Sequence, residues 1–186
     1  MFLENTNCAF FALYKTFMNK SIDLIEKKFD VDLLEIKNIY PVLIGKICEK
    51  LNIDVVFSQD LDDDYFGNII KNPTSYTINV NANYSAATNM FTIAHEIGHY
   101  VKHNDKLAAN GQFMDRKSSG YTAEERQNER QANDFAGELL MPSEKFCEIY
   151  NEKSGNIKNI SSFFRLSADL VSFRAIKLGL IIVSHE

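Results

Sequence analysis

Residues 95 to 99 read His-Glu-Ile-Gly-His, two imidazoles four positions apart with a carboxylate directly after the first. On a helix, residues at i and i+4 share one face, with Cβ atoms about 5–6 Å apart. Both imidazoles can then reach one metal ion at about 2.0–2.1 Å. Glu96 points beside such an ion rather than at it, where a carboxylate can accept a proton from water and act as general base. Given the His and Glu content of the chain, an HExxH string is expected by chance only about 0.006 times.

A catalytic metal site of this type needs a third protein ligand and one open position. His103 continues the series, but eight residues advance about 12 Å along a helix and about 80° past two turns. One straight helix does not close three such ligands around one ion. His185 is the only histidine further along the chain, and it stands at the C-terminus. A carboxylate on a later helix is the remaining solution. Glu124, Glu125, Glu129 and Glu138 are the candidates, and Glu129 stands out because Asn133 lies four residues on, on the same face. Glu129 could ligate while Asn133 hydrogen-bonds a ligand histidine and fixes its ring.

These residues need elements to position them. Met90, Ile93, Ala94, Ile97 and Val101 form an apolar stripe, so the spacing predicts a helix over about 86–102. Thr122 with Glu125 three residues later is a capping box, which opens a helix ending before Pro142. Ile53 to Phe57 and Tyr65 to Ile70 read as strands, the second with a bulge at Gly67. Tyr76, Ile78 and Val80 alternate with polar residues, which predicts a half-exposed, edge-type strand over 75–80. Asn104 to Tyr121 reads as a loop with a short strand near Phe113. Residues 1–37 carry helical apolar stripes and are expected as an N-terminal helical extension. Tyr40-Pro41 is expected to open a helix through Leu51. Further helices are expected over 143–151, 157–164 and 168–178, with a last strand over 180–183. Strands and helices do not alternate regularly, so the expected class is α+β, helix-rich with a small mixed or antiparallel sheet. The extension (1–37) would precede one catalytic domain (38–186).

Composition narrows the classes. Twenty basic and 25 acidic residues give a net charge of −5, which argues against binding nucleic acid by bulk charge. No apolar run is long enough for a membrane span. The three cysteines, Cys8, Cys48 and Cys147, form no CxxC pair and no disulfide framework. They are read as small buried hydrophobes. A reduced, cytoplasmic location is therefore expected.

Three segments in order, TSYTINVN (74–81), FTIAHEIGHYVKH (91–103) and ERQANDFAGELLMP (129–142), resemble the ImmA/IrrE-type metallopeptidases. The likeness covers about Ile53 to Pro142, with Phe163 to Ser167, Arg174 and Leu178-Gly179-Leu180 similar to the family's C-terminal helices. It implies a zincin-like fold with His95, His99 and Glu129 on Zn2+, Glu96 as general base and Asn133 in support; Mn2+ or Fe2+ suits the same donors. It further implies a cytoplasmic endopeptidase, of the kind found in phages and mobile elements, acting on a helix-turn-helix repressor or similar regulatory protein. Residues 1–37 are too short for the DNA-binding domain that many relatives carry. Oxyanion or substrate contacts are sought among Tyr100, His103 and Tyr121, with Tyr84 also nearby in sequence, and an extended substrate could pair with the strand over 75–80.

Two other classes are compatible with the residues. One is a non-proteolytic metal-containing module that regulates a repressor or toxin–antitoxin-like partner. The other is a DNA-binding regulator acting through residues 161–178, where the texture around Arg165 and Arg174 mimics a helix-turn-helix; the acidic net charge opposes it.

Overall fold

The computed structural model describes residues 19–110, 112–116 and 121–182. Its helices are α1 (Lys20–Phe29), α2 (Ile44–Lys50), α3 (Ala86–Lys102), α4 (Asn104–Asn110), α5 (Ala123–Leu140), α6 (Ser143–Glu152), α7 (Ile157–Phe164) and α8 (Ala168–Lys177). Its strands are β1 (Ile53–Ser58), β2 (Tyr65–Lys71), β3 (Tyr76–Asn81) and β4 (Gln112–Arg116). The class is α+β, as the sequence indicates. Among the described residues no helix is long and apolar enough to cross a membrane.

The sheet order is β1-β3-β2-β4 and the sheet is mixed: β1 runs parallel to β3, and the other pairs are antiparallel. The expectation of an edge strand over 75–80 is corrected. β3 is central, between β1 and β2. Its alternating polar side chains are satisfied across the sheet, where Asn79 Nδ2 donates to Asn68 Oδ1 at 2.8 Å. Thr77 is likewise engaged, by Asn72 Nδ2 at 2.8 Å. A polar face need not be a solvent face when it finds partners of its own. The irregularity anticipated at Gly67 is present as a register shift in the β2–β4 pairing. A Cβ on Gly67 would stand 2.6 Å from Asn79 O and 2.7 Å from Thr92 Cγ2, so only glycine lets α3 lie this close to the sheet.

Helix α3 lies against the sheet on one side and α5 on another, and every residue from Thr92 to Val101 is buried. Its start is fixed by Ser85, whose side chain accepts from Thr88 N. The Thr122 capping box forms as expected and starts α5. The two helices approach closely because residue 98 is glycine. A Cβ there would meet Ala132 Cα and Ala132 O at 3.0 Å and Phe135 Cδ1 at 3.3 Å.

Residues at the start of α1 and in α8 brace the C-terminal half of α5. Asn19 caps α1 by accepting from Ile22 N, and its Nδ2 donates to Leu139 O at 2.9 Å. Ser21 Oγ donates to Phe135 O at 3.1 Å. Ile22 and Ile25 are fully buried, so α1 shares the core of the residues that follow. From the other side, Arg174 is 5% exposed. Its Nε donates to Met141 O at 3.0 Å, and its Nη2 contacts Glu138 Oε2 and Ser143 Oγ.

Four further expectations change. The stretch over 104–121, expected as a loop with a short strand near Phe113, begins with helix α4 (Asn104–Asn110), and the strand follows as β4 (Gln112–Arg116). Pro41 does not open a helix: α2 begins at Ile44, with Leu43 at its N-cap, and Val42 is instead a buried anchor. Residues 180–182 form no strand, and His185 and residues 1–18 lie outside the described residues. Cys48 is a buried free thiol pushed up to about 12 by burial, whereas Cys147 is disulfide-bonded and so is not the simple buried thiol expected.

Gly98 yields a stability prediction. Gly98→Val forces α3 and α5 apart and is expected to destabilise the fold by about 1–3 kcal/mol, the usual cost of overpacking a close contact. The measurement is the urea midpoint of unfolding. An unchanged midpoint would show that the α3–α5 contact is not the tight one described.

Candidate metal centre

Helix α3 carries His95, Glu96 and His99 into the interior, where they are 2%, 0% and 1% exposed. Burying such groups is costly unless they are hydrogen-bonded, paired or bound to metal. The i, i+4 spacing brings His95 Nε2 and His99 Nε2 to 3.0 Å from each other. Glu129 arrives from α5 with Oε2 at 3.2 Å from His95 Nε2 and Oε1 at 3.3 Å from His99 Nε2. The ligand atoms of the three residues all lie within 4.8 Å of one another.

Asn133, one turn after Glu129, meets His95 from behind, with Oδ1 3.0 Å from His95 Nδ1. A carboxamide oxygen only accepts, so Nδ1 carries the proton and Nε2 keeps its lone pair for the shared point. Burial alone would raise the Glu129 carboxyl. The contacts with His95 and His99 outweigh it and hold the group at about 2.

The donor set fits a small divalent cation. In a tetrahedral site with ligand distances of about 2.0–2.1 Å, ligand atoms stand roughly 3.4 Å apart. The separations of 3.0, 3.2 and 3.3 Å are close to that edge length. Two neutral imidazoles and a carboxylate suit Zn2+ and also accept Mn2+ or Fe2+. Three protein ligands leave a tetrahedral ion one position for water or substrate.

The other candidates fall elsewhere. Glu124 pairs with Lys106, Glu125 serves the capping box, and Glu138 engages Arg174. His103 caps α3 at its C-terminus and is 6% exposed. Its ring stands 5.4 Å from that of His99, and its Nε2 lies 3.0 Å from Gln131 Oε1, to which it donates. Burial first, then the charges of His99 and Lys106, lower it to about 4. Tyr100 turns into the core, stacked on Phe29 at 4.6 Å and edge-on to Tyr76 at 4.6 Å. Tyr84 Oη donates to Asp63 O. The backbone carbonyl of Tyr121 accepts from Arg126 just before α5. Gln131 is absent from the sequence reading, since an exposed glutamine on a helix gives no signal until its partner is known.

Two outcomes follow from this geometry. Asn133→Ala leaves all three ligands in place but frees the His95 ring, so metal affinity is expected to fall about 10–100-fold. Glu129→Gln removes the anionic ligand and is expected to lose more. Chelator competition measures both, and equal affinity for wild type and Asn133→Ala would contradict the orienting role. Acidification should release the metal, because protons compete for the imidazole nitrogens. Glu129, held at about 2, stays ionised in mild acid, so affinity is expected to rise with pH between about 5 and 7 as the imidazoles shed protons. A metal content that is flat across that range would argue against imidazole ligation.

The family model described as the IrrE N-terminal-like domain matches residues 48–175, a stretch that holds α3 and α5 whole. Among solved structures, a Mycobacterium tuberculosis transcriptional regulator superposes with a TM-score of 0.56 at 18% identity. The superposition covers 91% of this chain and 50% of that one, so the chain spans half the regulator's length. At that identity the likeness concerns the fold alone. No curated protein matches the chain. The convergence of an HExxH helix with the Glu129 helix, inside a family match over more than half of the chain, places this protein in the IrrE N-terminal-like domain family of metallopeptidase-like domains.

Proposed function

We propose that the protein is a metal-dependent endopeptidase of the ImmA/IrrE type, using Zn2+ and acting on a DNA-binding repressor or a similar regulatory protein. The observation that carries the reading is the convergence of His95, His99 and Glu129 beside the buried Glu96. His95, His99 and Glu129 would hold the ion. When bound, such an ion supplies Lewis acidity, which acidifies water toward a pKa of about 7 and polarises a carbonyl. Glu96 then takes the proton of the attacking water and passes it to the departing amine nitrogen, while the C–N bond breaks and the new C–O bond remains. Asn133 keeps the His95 ring in register throughout. Neutral His103 spends its one N–H on Gln131 Oε1, so it offers a neighbouring oxyanion no donor and instead braces the end of α3 against α5.

A substrate added as an extra strand would meet the sheet at an open edge. β3 has none, so such pairing is assigned to β4 or β1, the outer strands. The choice of a regulatory partner is supported by the family match and by the similar solved structure, which is that of a transcriptional regulator. Direct DNA reading through residues 161–178 has less support, because Arg174 is buried against Glu138 rather than presented to a ligand.

The test is co-expression with the small helix-turn-helix protein encoded nearest to this chain, followed by mass spectrometry of that partner. Wild type is expected to cut it. Glu96→Gln is expected to keep its metal and to lose at least about 100-fold in cleavage rate, the usual contribution of a general base. If Glu96→Gln regulates the partner as well as wild type does, the peptidase reading fails and a non-proteolytic binding module takes its place.

A further inference from the structure

Behind the metal centre, on the Asn133 side of His95, helices α3, α5 and α8 enclose a cavity of about 430 Å³. Ligand pockets run from roughly 300 to 1,000 Å³, so this one has room for a small organic molecule. Its two ends differ in chemistry, and the pairing of the helices shows how. His99 meets Glu129 and His95 meets Asn133, so α3 and α5 run antiparallel and Phe91 stands level with Gly137. Lys177 pairs with Asp134 and Arg174 with Glu138, so α8 also runs antiparallel to α5 and Leu170 falls level with Met141. Arg130, Asn133, Asp134 and Lys177 therefore line the end nearest His95. Phe91, Gly137, Met141 and Leu170 line the other end, and Phe173, 63% exposed, leaves its ring at the mouth.

Most charges in the lining are already matched. Asp134 faces Lys177, and Arg174 is held by Glu138, Ser143 Oγ and Met141 O. Arg130 is the exception: among the described residues none accepts a hydrogen bond from its guanidinium or pairs with its charge. Asn133 is only half used. Its Oδ1 accepts from His95, while its Nδ2 donates to no described residue. The two residues are three positions apart on α5, so their spare donors stand on one helix face. One unmatched cation and one spare amide group thus share the polar end of a cavity whose far end is apolar. Their complement is a single anionic group with two acceptor oxygens, carried on an apolar body. A guanidinium offers paired N–H donors in a fork that fits a planar carboxylate. A neutral apolar molecule would cover both donors without satisfying them. A second negative charge would meet no partner in the apolar end.

We propose that this cavity is a binding site for a small amphipathic monocarboxylate, with an aryl or short alkyl body, and that the metal centre senses its occupancy through Asn133. The carboxylate lies between Arg130 and Asn133 Nδ2, and the body lies against Phe91, Gly137 and Leu170. Accepting from Nδ2 fixes the carboxamide with Oδ1 toward His95 Nδ1. That orientation keeps His95 Nε2 aimed at the ion. Acid and metal then strengthen each other, by the same factor in both directions. The cavity is on the side of His95 opposite the metal-facing nitrogen, so it is an effector site rather than a substrate site. Its existence does not depend on whether the chain cuts a peptide.

The experiment titrates the full chain calorimetrically, with and without zinc, using 3-phenylpropionate, octanoate, 3-phenylpropionamide and acetate. 3-Phenylpropionate is expected to bind one-to-one and at least about tenfold more tightly than its amide, which lacks the charge, or acetate, which lacks the body. Arg130→Gln is expected to abolish the preference for acid over amide. A Cβ at position 137 finds Arg174 Nη1 as its nearest atom, at 3.9 Å, so a side chain there enters open space. Gly137→Leu, which also favours the helix, is expected to fill the apolar end and remove binding of both larger acids. Neither residue holds the metal, so both variants are expected to keep wild-type zinc affinity when no acid is present. Saturating 3-phenylpropionate is expected to raise the zinc affinity of wild type at least about fivefold in chelator competition, and zinc to tighten acid binding by the same factor. Failure of both larger acids to bind at millimolar concentration overturns the site. So does equal binding of 3-phenylpropionate and its amide, or acid binding that both variants leave undiminished. Zinc affinity unchanged at saturating acid overturns the coupling through Asn133.

Discussion

The close contact of α3 with α5 at Gly98 is the constraint on which the remaining structure depends. Three ionisable side chains, His95, Glu96 and His99, occupy the buried stretch of α3. Leaving them in an apolar interior without partners would cost several kcal/mol. The offset comes from α5, which delivers Glu129 to both imidazoles and Asn133 to the back of one. That delivery needs the two backbones close enough for side chains of ordinary length to meet, and a hydrogen atom at position 98 permits it. A methyl group at 3.0 Å from the Ala132 backbone would open the contact and part the donors.

The rest of the fold serves to hold α5 in that place. Its first turn is fixed locally by the Thr122–Glu125 box. Its last two turns are fixed from afar, by Asn19 and Ser21 on one side and Arg174 on the other. The Arg174–Glu138 pair is nearly buried, a geometry in which removing one partner is far more damaging than the net worth of the pair. The sheet plays the matching part for α3. Gly67 lets the helix lie against β2, and Ile69, Ile78 and Val80 give it an apolar floor. The same clamp of α8 against α5 also leaves a cavity between these helices and α3, lined by Phe91, Gly137, Leu170 and Phe173 and by the charged Arg130, Asp134 and Lys177.

Much of this was legible in the residues because it depends on local spacing. The i, i+4 imidazoles, the capping box, the bulge at Gly67 and the apolar stripe of α3 are all short-range patterns that helix or strand geometry converts directly into structure. The misread parts are those that tertiary partners decide. The polar alternation in β3 looked like a solvent-facing edge, but Asn68 and Asn72 satisfy it from across the sheet and from its own start. Tyr100, adjacent to a ligand histidine in sequence, points a third of a turn away and stacks in the core between Phe29 and Tyr76. Pro41 looked like a helix opener, yet the helix waits until Ile44.

By itself the sequence determined the chemistry of one half of the site. His95 and His99 must share a face of any helix they occupy, and Glu96 must stand beside that face, because 100° per residue leaves no alternative. It also limited the third ligand to a short set of carboxylates. Which of them closes the site was decided only by the tertiary structure. Glu124, Glu125, Glu129 and Glu138 share one helix and similar surroundings in sequence, and the angle and height at which α5 crosses α3 select Glu129 alone. The cavity beside it has the same origin. Phe91, Gly137 and Phe173 lie on three helices far apart in the chain, and no local periodicity relates them until packing closes α8 onto α5.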